Sequence, residues 1–184
     1  MSSTTRRSST RPPATRDLIL DALEALLLEG GSSAATLEAV AARAGVSKGG
    51  LLYHFGSKEA LYEGFLARLR SHAQEDAERT RTAPQGPIAA YLDVSTVPDD
   101  PGTRSVLAAL RLVGVQEVDV EQALADTFEF WYAVIAREIP DPTLARLVQL
   151  VGDGLYLHAL IGSVRPHADQ LVITRIIELV ADSR

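Results

Sequence analysis

A chain of 184 residues, 46% apolar and 23% charged, is long enough for one or two small domains with a real core and has the balance of an ordinary soluble globular protein. It contains no cysteine, which excludes disulfides, thiolate metal sites and cysteine nucleophiles. The net charge of −6 speaks against a uniformly basic nucleic-acid binder, but the charge is unevenly placed: residues 1–60 hold seven Lys/Arg against six Asp/Glu, and the remainder eleven against eighteen. No apolar run follows the early arginines as a signal peptide would, and the longest apolar runs fall short of a membrane span. A cytoplasmic protein with no membrane partner is expected.

Residues 1–14 are Ser, Thr, Arg and Pro apart from Met1 and Ala14. Such a composition builds no core, so a disordered basic arm is expected, either a plain solvated tail or one whose Arg6, Arg7 and Arg11 add phosphate or minor-groove contacts. From Thr15 the apolar residues Leu18, Ile19, Ala22, Leu23, Leu26 and Leu27 recur at helical spacing, and Gly30-Gly31 ends the helix. Thr36 stands where an N-cap belongs, before a short helix over 37–44 that Gly45 closes. Ser47 caps a third helix over about 47–54, Gly56 breaks it, and Ser57 caps a fourth from 58 to about 81, roughly 36 Å long at 1.5 Å per residue. After the break "TAPQGP" at 82–87, helices are predicted over 88–94, 103–117, 121–138, 143–163 and about 168–181. The stretch "VPDDPG" at 97–102 and the prolines at 140, 142 and 166 serve as punctuation. No strand and no internal repeat is expected. The fold reads all-α, about nine helices, with a small front domain and a larger body. Nothing in it reads as a cofactor motif, and Asp153 and His158, five apart on a helix, are poorly spaced for a shared metal.

Gly45-Val46-Ser47-Lys48-Gly49 matches the G-x-S-x-G pattern of a hydrolase nucleophile elbow, which would make Ser47 catalytic. An elbow needs a strand before its serine, however, and here the strong helix formers Ala41 and Ala42 precede it. The alternative accounts for every letter. Two short helices meet at Gly45, with small Ala41 allowing a close crossing and Val40, Val46 and Leu51 fixing its angle. That is a helix-turn-helix, whose second helix enters the DNA major groove.

Over about residues 15–65 the chain resembles the DNA-binding domain of the tetracycline-repressor (TetR) family. The matching letters are Thr36-Leu37, Val40-Ala41, Ala44-Gly45-Val46-Ser47, Leu51, His54-Phe55 and Ser57-Lys58-Glu59-Ala60-Leu61. The resemblance implies a bacterial transcription regulator rather than an enzyme, with double-stranded DNA as partner. It divides the chain into an arm (1–14), a helix-turn-helix domain (15–60) and a helical effector-binding and dimerisation domain (61–184). Ser47, Lys48, Gly49 and Gly50 then open the recognition helix. Lys48 can donate to guanine or to phosphate, and the two glycines either let the backbone approach DNA or are merely tolerated. Tyr53 and His54 close that helix within reach of phosphates, and Lys58, against the helix dipole, gains sense if a phosphate sits at that helix end. Thr36 and Arg43 complete the expected DNA set. The tyrosine that usually follows the leucine at 51 is Leu52 here, with Tyr53 next.

Beyond residue 65 the likeness is one of style. Two late helices are apolar almost all round, which calls for a partner on their second side. The resemblance implies a homodimer closed by a four-helix bundle, with Leu147, Val151, Leu155, Ile173, Ile176, Ile177 and Val180 at the seam. Two recognition helices would then lie about 34–36 Å apart. It also implies a pocket for an unknown small-molecule effector, with Tyr91, Leu110, Arg111, Phe128, Trp131, Tyr156 and His158 as its expected lining. The helix at 58–81 would be the lever between pocket and DNA head, and release from a palindromic operator the outcome. A small α-helical hydrolase using Ser47 and a helical adaptor without DNA binding are the alternatives.

Overall fold

The computed structural model describes residues 14–94 and 101–183. The expected basic arm lies outside them apart from Ala14, as do residues 97–100 of the expected loop; Pro101 and Gly102 already belong to a helix. The described residues form nine helices and no strand: α1 (Thr15–Ala34), α2 (Leu37–Ala44), α3 (Lys48–Phe55), α4 (Lys58–Arg81), α5 (Pro87–Val94), α6 (Pro101–Leu110), α7 (Val120–Glu138), α8 (Pro142–Leu160) and α9 (Pro166–Asp182). None of them is long and apolar enough to cross a membrane.

Local chemistry sets the ends. The side chains of Thr36, Ser47 and Ser57 accept from the backbone N–H groups of Ala39, Gly50 and Ala60 at 3.1, 3.0 and 3.1 Å, so each caps the helix that follows. Asp119 does the same for α7 through the Gln122 N–H at 2.9 Å. Within α1 the helical backbone breaks at Gly31 (φ 69°, ψ −167°), and a last turn runs on to Ala34. The sequence places a helix over 103–117, but α6 ends at Leu110. From Arg111 the chain descends in i→i−3 turns, with Val115 N–H on Leu112 O at 2.9 Å and Gly114 at φ 87°. An apolar run alone does not hold an α-helix where the backbone tightens into such turns.

Two apolar cores result. The first joins Leu23, Leu27, Val40, Leu51, Phe65 and Leu69 of α1–α4 to Val106, Ala109 and Leu112 from α6 and its end, and to Ala123 of α7. The second joins Ile88 and Leu92 of α5 to Ile135 and Ile139 of α7 and its end, Val148 of α8, and Ile176 and Val180 of α9. Full burial of each such side chain contributes roughly 1.5–3 kcal/mol. The longest helix, α4, packs along α7 and passes from the first helices to the body.

Candidate nucleic-acid interface and effector cavity

The α2–α3 turn is built by Gly45. Its φ of 70° and ψ of 28° suit a residue without a side chain, and two bonds close the end of α2: Gly45 N–H to Ala42 O at 3.2 Å and Val46 N–H to Ala41 O at 3.0 Å. Leu51 and Phe55 point into the core, and Val40 and Ala41 meet them from α2. Gly64 makes room for Phe55, since a Cβ there would lie 2.6 Å from its ring. The Arg16 guanidinium covers the same ring at 4.9 Å from its centre, a contact absent from the sequence reading.

The opposite face of α3 is open. Tyr53 is 88% exposed, and its ring meets that of exposed His54 edge-on at 5.4 Å. Neither packs in the core, so both can donate outward. Ser47 is committed to its cap. A Cβ on Gly50 would sit 3.3 Å from the Ser47 hydroxyl oxygen, whereas one on Gly49 would meet nothing nearer than 3.9 Å. The chain's own packing therefore favours glycine at 50 and does not require it at 49.

The cations of this face are partly engaged. Lys48 Nζ lies 2.6 Å from Glu38 Oε1, in an exposed pair that draws the Glu38 carboxyl below its ordinary range through the hydrogen bond from Lys48. Arg43 forks onto Glu29 with bonds of 2.5 and 2.6 Å, so it reaches DNA only if that pair opens. Lys58, partly exposed, lies over the Tyr62 ring at 5.3 Å, which gives it a packing role beside any role toward phosphate.

A cavity of about 240 Å³ opens between α4, α5, α6, α7 and α8. Tyr91, Phe128, Trp131 and Tyr156 of the expected lining are there; Leu110, Arg111 and His158 are not. Leu110 sits a turn beyond cavity-lining Val106 at the end of α6, 47% exposed, and Arg111 follows it outside. His158 is exposed, two positions after Tyr156 and so about 200° round the helix from it. The sequence reading missed Leu69, Ala73 and Asp76 of α4, Thr103 and Val106 of α6, and Asp153 of α8. The last had a signal: Gly152-Asp153-Gly154 places a carboxylate between glycines inside an apolar helix.

Polar contacts hold the cavity wall. Trp131 Nε1 donates to Asp76 Oδ2 at 3.2 Å, and Arg79 pairs with the other oxygen at 2.7 Å. The Tyr91 hydroxyl lies 3.1 Å from Gln149 O and 3.0 Å from Asp153 Oδ1. Burial raises the Asp153 carboxyl above its usual range, while the Tyr91 hydroxyl and the Arg146 charge work the other way. Burial and the neighbouring carboxylate also push the Tyr91 hydroxyl well above its ordinary value. Among the described residues no group of three His, Asp or Glu side chains is placed to hold a metal.

α6 faces two ways. Thr103 and Val106 line the cavity, while Ser105 Oγ donates to Glu24 Oε2 of α1 at 2.7 Å. Glu24 also lies 3.5 Å from Arg68 NH2 of α4, and Arg68 NH1 is 2.6 Å from Asp21. The cavity and the first helix are thus one helix apart.

The seven expected seam residues divide. Leu147 and Ile177 are exposed; Val151, Leu155 and Ile173 are half-buried against the second core; Ile176 and Val180 lie inside it, because α9 turns that stripe toward α5 and α8. Leu150, Leu157, Ile161, Leu171 and Val172 are exposed as well, so α8, α9 and the turn between them present a broad apolar surface.

Residues 19–64 match the family described as "Bacterial regulatory proteins, tetR family", and residues 85–181 match the "Tetracyclin repressor-like, C-terminal domain". The chain is 30% identical over 159 residues to the HTH-type transcriptional regulator BetI of Serratia proteamaculans (strain 568), covering 85% of this chain and 72% of that protein. Among solved structures it is similar to a transcriptional regulator from Streptomyces coelicolor A3(2), with a TM-score of 0.70, 23% identity, and 91% and 99% of the two chains covered. It is also similar to the multidrug binding protein EbrR complexed with imidazole, with a TM-score of 0.63, 25% identity, and 89% and 95% covered.

Proposed function

The chain belongs to the tetR family of bacterial transcriptional regulators, and on that premise we propose that it acts as a homodimeric repressor that leaves a palindromic operator when a small molecule fills the α4–α8 cavity. The observation that carries the DNA half is the open face of α3, where the Gly45 turn and the buried pair Leu51 and Phe55 leave Tyr53, His54 and Lys48 outward. Tyr53, His54 and Lys58 serve as phosphate donors, and Lys48 with the Gly49-Gly50 backbone approaches the base edges. The Ser47 hydroxyl caps α3 behind a helix and a turn, a setting that favours the DNA reading over a nucleophile elbow.

The apolar α8–α9 surface supports a two-fold seam, with Leu147 and Ile177 joined by Leu150, Leu157 and Leu171 rather than by inward Ile176 and Val180. The cavity supports an effector site, and two routes run from it to the DNA head. One is α4, whose first turn carries Lys58 and whose later turns carry Leu69 to Thr80 in the cavity wall. The other is α6, through Ser105 and Glu24. An effector that favours one setting of these helices shifts the spacing of the paired heads.

Selection of binding sites from random duplex DNA by the purified protein, at roughly physiological salt where non-specific binding is weak, tests the reading. A palindromic consensus is expected. Folded, dimeric protein that enriches nothing, even after refolding free of small molecules, would favour the adaptor reading.

A further inference from the structure

The geometry of the cavity points to a small organic monocation as its occupant, with Asp153 as the counter-ion and the rings of Tyr91, Phe128, Trp131 and Tyr156 around the charge. This rests on the cavity being the effector site. Its volume of about 240 Å³ lies below the roughly 300–1,000 Å³ that hold drug-sized ligands, so the occupant is small.

Charge narrows the class. Asp153 is half-buried, and none of the ion pairs among the described residues includes it. Its hydrogen-bond partner is the Tyr91 hydroxyl, which has one proton and a second acceptor, Gln149 O, at nearly the same distance. The Tyr91 bond and the charge of exposed Arg146, which is itself hydrogen-bonded to Gln149, offset only part of the cost of holding this carboxylate out of water, and burial still raises its proton affinity. An entering cation supplies the missing charge. Gly152 fixes the arrangement: a Cβ there would lie 2.3 Å from the Tyr91 ring, so only glycine lets the ring pack this close to α8 with its hydroxyl at Asp153.

The remaining wall agrees. Aromatic faces attract ammonium and other organic cations by their quadrupoles, most strongly where water is displaced. Among the described residues, the arginine of the lining, Arg79, has a side chain 67% exposed and is already paired with Asp76, and His72 is exposed on the same helix, so these groups offer an anion little hold inside.

Trp131 is the chain's single tryptophan and lines the cavity, so its emission reports occupancy without a label. Three probes of similar size and different charge decide the matter: benzyltrimethylammonium, benzyl alcohol and phenylacetate, titrated into the full-length protein. The cation is expected to change Trp131 emission saturably, at least tenfold more tightly than the other two. Asp153→Asn, which keeps an acceptor for Tyr91, should weaken the cation at least tenfold and leave benzyl alcohol unchanged. Equal or tighter binding of benzyl alcohol or phenylacetate would overturn the cation assignment while leaving the cavity a ligand site. Equal cation binding by Asp153→Asn would remove Asp153 from the role. Silence from all three probes would end both the assignment and the effector reading of the cavity. Should the variant not fold, the three-probe comparison on the unmodified chain decides alone.

Discussion

Replacing Gly152 by alanine adds one methyl group at a place where the structure leaves no room for it. The new Cβ would lie 2.3, 2.6 and 2.7 Å from Cε1, Cζ and the hydroxyl oxygen of Tyr91, against about 3.5–4.0 Å for an ordinary carbon contact. Either the ring or α8 must retreat by more than an ångström. The Tyr91 bonds to Gln149 O and Asp153, now 3.1 and 3.0 Å, then stretch out of range. Overpacking costs about 1–3 kcal/mol and each lost hydrogen bond about 1. A net loss of about 3 kcal/mol lowers Tm by roughly 6–12 °C for a chain of this size. Thermal unfolding followed by circular dichroism measures it. The control is the same substitution on a Tyr91→Ala background, where the methyl has space and alanine's helix propensity gives back up to about 1 kcal/mol. The cost should vanish or change sign there. If Gly152→Ala costs the same in both backgrounds, or nothing in the first, the close packing of Tyr91 on α8 is refuted.

Other expectations follow from single contacts. Lys58→Ala should weaken binding to all duplex sequences alike and flatten the salt dependence by about one unit, and an altered sequence preference at unchanged slope would reject the phosphate role. Glu38→Gln releases Lys48 from its 2.6 Å pair; affinity for random duplex should rise severalfold and the ratio of specific to non-specific binding fall, both read by filter binding at fixed salt. Ser105→Ala removes the 2.7 Å hydrogen bond to Glu24 and leaves α6 joined to that carboxylate by the longer 3.7 Å pair from Arg104; operator and cavity-probe affinities measured separately should hold, while the effect of one on the other should shrink. Because burial raises the Asp153 carboxyl, the folded chain keeps that proton to higher pH than the unfolded chain does. That contribution to stability is complete below the unfolded-state pKa and is lost as pH rises through the folded-state one, so Asp153→Asn should flatten this part of the stability–pH curve in denaturant titrations.

What the sequence disclosed was chemistry acting within a few residues. Thr36, Ser47 and Ser57 cap because each hydroxyl reaches an N–H three residues on, and Gly45 turns because of its own φ; none of this needs knowledge of a distant neighbour. Burial of Ile19, Leu23 and Leu27 followed from helical period, and that of Leu51 from the helix crossing. What stayed hidden depends on partners far along the chain: Glu29 for Arg43, Asp153 for Tyr91, Glu24 for Ser105. The cavity shows the same division. Aromatic residues marked its region, but which side of α6 or α8 faces inward depends on what packs behind it, so Leu110 and His158 were misplaced and Val106 and Asp153 overlooked. The stripe of Ile176 and Val180 was correctly seen as apolar, and only its neighbours α5 and α8 reveal that it looks inward.

The continuity of the first core has a bearing on how such proteins can be recombined. Leu23, Val40 and Leu51, which hold α3 in place, share one apolar interior with Val106 and Leu112 at α6 and Ala123 of α7. A head excised after α3 would leave those surfaces bare on both fragments. Grafted onto a relative's body, it would meet α6 and α7 side chains of the wrong shape, and Glu24 would face a stranger in place of Ser105. The exposed residues on the outer face of α3 carry no such obligation. On the proposed DNA reading, new operator preferences are therefore reached more cheaply by rewriting exposed Lys48, Gly49 and Tyr53 in place than by exchanging heads between chains.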